Sequence, residues 1–396
     1  MSAFNELRQN VLTGHWIAVA PNRGRRPVMT GPRSVSQPSL AGGGEPDCPF
    51  CPGNEGELSS VLAEVRCEGD PGWRIRVVPN RYPAFTNDAG RGEWVDPGLS
   101  EAAHVSAGLT LGCDVPVRVS GPLPAVGYQE VIIETPHHGR DLPDMAPEEL
   151  AAVVEAYHAR YLAVSESAPS CRVFLFRNRG HAAGTSIPHA HAQLIATTAI
   201  PPEVRVREIR MLGYHNDFGR CLLCALPELE PGWEERLVME DEHFQAFVPW
   251  AAETAHELWV LPRRHQAEFG ESSETERGAL AAMLGELLGR VRRWAGDPSY
   301  TLMVHSPRRS RSGSQAFHWF VQIRPRNGQS AGFELASGIA INASSPEVDA
   351  RQLRGEEGAA GEVAGEGEHE AGAGAGNTGQ GRERGRAGTP RRSRAG

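Results

Sequence analysis

No apolar run in this chain approaches the ~20 residues that a helix needs to cross a bilayer. The first residues carry no signal-peptide apolar core, so the expected compartment is the cytoplasm. Positive charge is not in excess: 40 Lys+Arg against 49 Asp+Glu leave a formal net charge of −9. That balance argues against general nucleic-acid affinity and leaves only local arginine clusters open. Large apolar side chains are almost missing beyond about residue 350, where Gly, Glu, Ala, Arg and Ser dominate. Such a segment cannot bury enough surface to offset chain entropy, so 349–396 is expected to be a disordered tail. Cysteine is sparse and odd in number, seven in all, a poor basis for a disulfide framework in a reducing compartment.

Four of those cysteines form two C-x-x-C pairs, Cys48-Pro49-Phe50-Cys51 and Cys221-Leu222-Leu223-Cys224. Two thiolates at this spacing can converge on one tetrahedral metal ion, whereas the redox alternative needs a βαβ context that the polar loop after Cys51 does not provide. Cys67, Cys113 and Cys171 read as buried thiols. With 396 residues, 40% of them hydrophobic, the chain can build a large core or two domains.

Apolar periodicity gives the coarse order. Strands are expected at 15–19, 76–83 and 130–138, a helix at 147–166 and a strand at 171–178. The second half offers strands near 236–240, 244–249 and 257–265, a helix over 274–295, and strands at 300–305 and 317–325. The Gly- and Pro-rich stretch 87–126 has no readable pattern.

Side by side, each half reads C-x-x-C, a strand ending in Pro then His, a helix, a strand, a loop, and a strand with H-x-x-x-Q. His138 precedes His189 by 51 residues and His265 precedes His318 by 53, so a duplicated unit is the economical reading. Each half then supplies two thiolates and two imidazoles: Cys48, Cys51, His138 and His189, and Cys221, Cys224, His265 and His318. Cys₂His₂ is a closed tetrahedral set of the structural zinc kind. His137 competes with His138, and register favours His138.

The halves differ at one position. His189-Ala190-His191-Ala192-Gln193 aligns with His318-Trp319-Phe320-Val321-Gln322, so only the first half has a spare histidine. On a strand His189, His191 and Gln193 share a face. A neutral imidazole is a competent nucleophile toward phosphorus near pH 7, and the Gln193 amide can hold a phosphate oxygen without adding charge. Asn178, Gly180, Gly184, Thr185 and Ser186 form a loop able to bring N–H groups to an anion. Arg23, Arg25 and Arg26 suit a phosphate or carboxylate, or form a solvated turn. His15, His104, His158, His181, His215 and His243 read as surface residues.

Taken together, the H-x-H-x-Q strand, the preceding N-x-G loop, the C-x-x-C knuckle and the repeat resemble the galactose-1-phosphate uridylyltransferase family of the histidine-triad superfamily, over about residues 8–348. The resemblance implies an α+β fold: two histidine-triad-like halves, 1–205 and 206–348, with antiparallel sheets and helices packed on one side. It implies His191 as nucleophile with Gln193 on its phosphate, and Cys48, Cys51, His138 and His189 as zinc ligands. Arg23, Arg26, Asn80, Asn178 and Gly184-Thr185-Ser186-Ile187 match positions that hold nucleotide or phosphate. In the bacterial enzymes a second metal site uses an H-x-H pair and an upstream Glu; here those positions read Gln322, Arg324 and Arg207. The Cys221, Cys224, His265, His318 set stands instead, giving two zinc ions per chain. That set and Gly332-Phe333-Glu334-Leu335-Ala336-Ser337-Gly338 are similar to the plant ADP-glucose phosphorylase branch.

The expected activity is UDP-glucose:galactose-1-phosphate uridylyl transfer by double displacement, with an ADP-glucose phosphorylase-like adenylyl transfer and a zinc-stapled nucleotide-binding protein without turnover as alternatives. A nucleotide sugar and a sugar 1-phosphate are the expected partners, with no nucleic acid or membrane, and with a homodimer as an open assembly state.

Overall fold

The computed structural model describes residues 5–25, 45–58, 60–66, 72–86, 125–326 and 331–356. Its main sheet joins β3 (Ala63–Arg66), β4 (Trp73–Pro79), β5 (Gly127–Ile133), β6 (Arg172–Arg179) and β7 (His191–Thr197) to five later strands. These are β8 (Leu237–Glu240), β9 (Phe244–Phe247), β10 (Leu258–Pro262), β11 (Tyr300–His305) and β12 (Phe320–Pro325). The spatial order is β3-β4-β5-β7-β6-β11-β12-β10-β9-β8. Read inward from either edge, the two halves give the same succession, and they meet where β6 pairs antiparallel with β11. The repeated sequence is therefore a repeated structure closed into one ten-stranded sheet.

Strand alternation divides the apolar side chains between two faces. One face, with Leu194, Leu175, Val260 and Val321, packs against two long helices, α1 (Pro147–Ser167) and a partner over Glu274–Ala295. Helix α1 has Pro147 in its first turn, and Glu149 accepts from the Ala146 N–H at 2.7 Å. The 274–295 helix opens on a reciprocal Ser273–Glu276 capping box and stops at Gly296, whose φ of 68° suits a residue without Cβ. The observed spans lie within a residue of the expectation, because apolar periodicity and end signals coincide.

The opposite face is covered differently in each half. In the first half the Cys48–Cys51 knuckle lies there with Phe50, Trp73, Val131 and Ile133. In the second half α2 (Pro202–Phe218) contributes Met211 to a cluster with Leu12, Trp259, Leu261 and Phe320. The two long helices pack on one side of the sheet as expected, and α2 adds a cover on the other face. Only Val204 and Met211 of α2 are fully buried, too few to give a readable apolar period. We number the 274–295 helix α3. A small second sheet holds β1 (Glu6–Gln9), β2 (Trp16–Val19) and β13 (Ala340–Asn342). The β2–β13 pair of this small sheet is parallel, which the long sequence separation of the two strands permits.

The short helix α4 covers Gly332–Ser337, and α5 covers Pro346–Arg354. Helix α5 runs into the segment expected to be tail from residue 349. Its Ala350 and Leu353 are buried, and Asp349 accepts from the His256 N–H at 2.9 Å. Two well-placed apolar side chains and a buried polar anchor suffice for a short docked helix, even where composition is poor. The rest of the tail expectation, residues 357–396, falls outside the described residues, as do Arg26, His104 and the 87–124 stretch.

Candidate active site

His189 ends the loop before β7, and His191 begins the strand. The intervening residue keeps the two imidazoles on one face. His191 Nδ1 donates to the His189 carbonyl at 2.8 Å, which fixes the ring and leaves Nε2 with its lone pair. Phe50, between the two knuckle cysteines, stands edge-on to both rings, with centroids 5.2 Å from His191 and 6.1 Å from His189. His191 is 8% exposed, and burial pulls its pKa below the usual imidazole value. A buried imidazole stays neutral, the form that can attack.

Two residues further along β7, the Gln193 carbonyl oxygen accepts from Gln129 Nε2 at 3.2 Å. Gln129 is in turn held by the Ala84 N–H at 2.7 Å. With its oxygen engaged, Gln193 has its NH₂ as the remaining polar group, on the face of β7 that it shares with His191. Gln129 was not among the expected residues; it reaches Gln193 diagonally across the β5–β7 pair, in which Val131 lies opposite Gln193. Only cross-strand register could have revealed it.

The loop between β6 and β7 supplies the other expected residues of this half. Asn178 is half-buried near the end of β6, and its carbonyl accepts from the Thr185 hydroxyl at 2.7 Å. Gly180 and Gly184 have φ of 81° and 84° and bend the loop around a short 3₁₀ turn. Gly184 and Ser186 are exposed, and Ile187 packs on the Phe50 cluster. Asn80 follows β4, where its N–H bonds the Gln129 carbonyl at 2.9 Å and its side chain accepts from Tyr82 N–H. Arg23 lies in an exposed 3₁₀ turn after β2. Among the described residues it has no hydrogen bond or ion pair with the His191 strand.

Behind β7, Glu134 is buried against two donors. Arg177 Nε donates to it at 2.8 Å, and the Tyr157 hydroxyl donates as well. Arg177 also bridges to Asp141, and its Nη1 donates to the Tyr300 hydroxyl at 2.6 Å. The Glu134 N–H bonds the Ala190 carbonyl at 3.1 Å, so this network fixes the backbone between the two histidines. His158, expected on the surface, is buried edge-on to Phe269 because it faces α1's packed side.

The structure gathers each Cys/His quartet, with ligand atoms within 4.8 Å of one another. In the first, His138 rather than His137 joins: Cys51 Sγ is 3.4 Å from His138 Nδ1, and Cys48 and Cys51 are each 3.6 Å from His189 Nδ1. In the second, Cys224 lies 3.4 Å from both His265 Nδ1 and His318 Nδ1, and Cys221 lies 3.8 Å from His318. Metal bonds of about 2.3 Å to sulfur and about 2.0–2.1 Å to nitrogen, at a tetrahedral angle, place S and N about 3.5–3.6 Å apart. Both quartets fit. Burial pushes the Cys48 thiol up to about 11 and His189 down to about 4; a cation among the donors favours thiolate and neutral imidazole together. The outer His189 Nε2 donates to the Thr135 carbonyl at 2.7 Å, and His265 Nε2 to that of Ser314 at 3.0 Å, fixing the ligating tautomers.

The family model for the galactose-1-phosphate uridyl transferase N-terminal domain matches residues 122–201, the segment containing β5, β6 and β7. The chain is 28% identical to galactose-1-phosphate uridylyltransferase of Thermotoga maritima over 357 residues, 88% of this chain and 98% of that one. These matches bear out the resemblance to the galactose-1-phosphate uridylyltransferase family. It is also 28% identical to ADP-glucose phosphorylase of Arabidopsis thaliana over 351 residues, 88% of this chain and 92% of that one. The solved Arabidopsis ADP-glucose phosphorylase with bound ADP-glucose matches with a TM-score of 0.71 at 27% identity, covering 89% of this chain and 99% of that chain. In this chain Arg207 and Gln322 both bond His305, each at 2.7 Å, and Arg324 pairs with Glu253 at 2.7 Å.

Proposed function

We propose that the protein is a nucleotidyltransferase working through a covalent nucleotidyl-His191 intermediate, as a UDP-glucose:hexose-1-phosphate uridylyltransferase. The observation that carries this reading is the His191 Nδ1–H bond to the His189 carbonyl, which leaves a neutral Nε2 as a nucleophile beside a donor amide. Nε2 attacks the α-phosphorus of UDP-glucose as the bond from that phosphorus to the bridging oxygen breaks, and glucose 1-phosphate leaves. A phosphate oxygen of galactose 1-phosphate then attacks the uridylyl-histidine, forming UDP-galactose and returning the electron pair to Nε2. Gln193 donates to the phosphoryl oxygens where charge gathers, and the loop at 184–187 and Asn178 hold the nucleotide. Arg23, Arg26 and Asn80 are assigned to the same ligand.

Zinc is our assignment for both quartets. A closed four-ligand set supplies a structural clamp, so Cys48, Cys51 and His138 orient the His189 strand and Cys221, Cys224 and His265 do the same for His318. We read residues 1–205 and 206–348 as the two halves of one catalytic unit in a cytoplasmic enzyme, with a homodimer as the assembly to test. The repeated strand order supports the division into halves.

A second reading, an ADP-glucose phosphorylase, is favoured by the full-length similarity to the Arabidopsis enzyme. It uses the same nucleophile, with an adenylyl-histidine discharged by inorganic phosphate to give ADP. Intact-protein mass spectrometry after brief mixing with each nucleotide sugar separates the two. A UMP mass gain, absent in His191→Ala and discharged by galactose 1-phosphate, is the expected result. An AMP gain discharged by phosphate supports the second reading, and no gain with either sugar in metal-replete protein refutes both.

A further inference from the structure

We propose that the second half carries its own phosphate-binding pocket, built on Arg207 of α2 and the outer nitrogen of His318. The pocket holds about 420 Å³ of space, part of it open to solvent, between β6, α2 and the facing ends of β11 and β12. It lies on the sheet face that carries His191 in the first half, and Phe320 stands at the position equivalent to His191. A ligand here is held and not transferred, because Phe320 offers no nucleophile.

Three observations point to an anion. First, His318 is 1% exposed with Nδ1 turned to the thiols, and its Nε2 has no partner among the described residues. The corresponding nitrogen of His189 is bonded to a carbonyl at 2.7 Å, so the second half keeps an unused N–H donor on a pocket wall. Second, Arg207 donates to His305 Nδ1 at 2.7 Å and has no carboxylate partner among the described residues. Burial, helped by nearby Arg172, pulls its pKa down to about 10; a bound anion would reverse that shift. Third, the remaining charges on the wall cancel: Arg172 is paired with Glu208. His305 is a neutral link, since its Nε2–H donates to Gln322 at 2.7 Å while Nδ1 accepts from Arg207.

The wall is thus left with one guanidinium that no carboxylate bonds among the described residues and one orphan imidazole N–H. A planar guanidinium fork beside a further donor suits the several oxygens of a phosphate group, whereas the guanidinium repels a metal cation. Inorganic phosphate or the terminal phosphate of a monoester is the ligand class. The proposal does not depend on which nucleotide His191 takes up.

Equilibrium dialysis of metal-loaded protein against labelled inorganic phosphate tests it, at ionic strength held constant with chloride. The expected result is a site whose dissociation constant rises at least tenfold in Arg207→Met, with helix content kept by circular dichroism, and stays unchanged in Gln193→Leu. Equal binding in Arg207→Met, or loss of all binding in Gln193→Leu, overturns it. Should Arg207→Met not fold, wild-type crystals soaked in tungstate replace it. An anomalous peak within about 3.5 Å of the Arg207 guanidinium and His318 Nε2 is then required, and its absence refutes the site.

Discussion

At the scale of single residues, the chemistry rests on small hydrogen-bonding choices that the strand register makes. In the proposed mechanism His191 attacks through Nε2 because a backbone carbonyl holds the proton on Nδ1, and Gln193 keeps its N–H donors for the ligand because Gln129, itself held by the Ala84 N–H, occupies its oxygen. Gln129→Leu frees the Gln193 amide to rotate. Loss of one oriented donor costs about 1–3 kcal/mol, so kcat should fall roughly tenfold to a hundredfold with unchanged metal content and a smaller change in KM. Steady-state kinetics with metal analysis checks this; an unaltered kcat would remove Gln129 from the site. Glu276 shows the stabilising use of the same chemistry. It accepts from both arms of Arg264 at 2.8 Å, from Gln266, and from the Ser273 N–H, and its pKa falls to about 2. The folded value lies below the unfolded one, so the stabilisation is present above about pH 4.5 and is lost as the pH drops toward 2. Allowing for solvent at the half-exposed Arg264, Glu276→Gln should cost about 2 kcal/mol at pH 7. Chemical denaturation at pH 7 and pH 3 should show that gap narrowing on acidification.

Among the elements, the loop between β6 and β7 is the one proposed to bring the ligand to His191. At Gly180 the φ of 81° already favours glycine, and an added Cβ would stand 2.3 Å from Ser299 Oγ. Gly180→Ala should therefore strain the loop by about 1–3 kcal/mol and slow adduct formation at His191. Pairing it with Ser299→Gly should recover part of the loss by removing the clash while the φ strain remains. Rapid-quench measurement of the adduct rate in both variants distinguishes the contributions. Legibility among the elements follows the strength of local signals. Helices α1 and α3 were readable because a buried face repeats every three to four residues between clear end signals. Helix α2 was not, because its buried face is carried by Val204 and Met211 alone. Helix α5 was masked by the low-complexity sequence beside it.

For the molecule as a whole, two halves close into one sheet at β6–β11, and each is tied by four donors drawn from three separate places in the chain. Cys48 and His189 are 141 residues apart, so an ion there fastens a long closed loop and its loss should loosen the fold well beyond the knuckle. Cys51→Ser should lower both the melting temperature and adduct formation, because the His189 strand carries His191. Cys224→Ser should lower the melting temperature and leave adduct formation at His191 largely intact. Metal content by mass spectrometry, calorimetry and the adduct assay together check the pair; equal loss of adduct in both variants would contradict the division of labour. No helix among the described residues is long and apolar enough to cross a membrane.

The sequence by itself determined the repeat, the two Cys/His quartets and the spare histidine, because each is written as residue identity at fixed spacing. It also determined the helices with strong period and caps, and the face shared by His189, His191 and Gln193, since alternation along a strand is a property of the backbone alone. The tertiary structure decided what depends on neighbours remote in sequence. It chose His138 over His137 and brought Gln129 to Gln193. It buried His158, and set Glu134 and Arg177 behind the nucleophile. It joined the halves through β6 and β11 and laid α2 over the second half, where Arg207 and His318 share a pocket wall. Spacing fixes which side chains can act together along one element; only packing fixes which partner stands across from them.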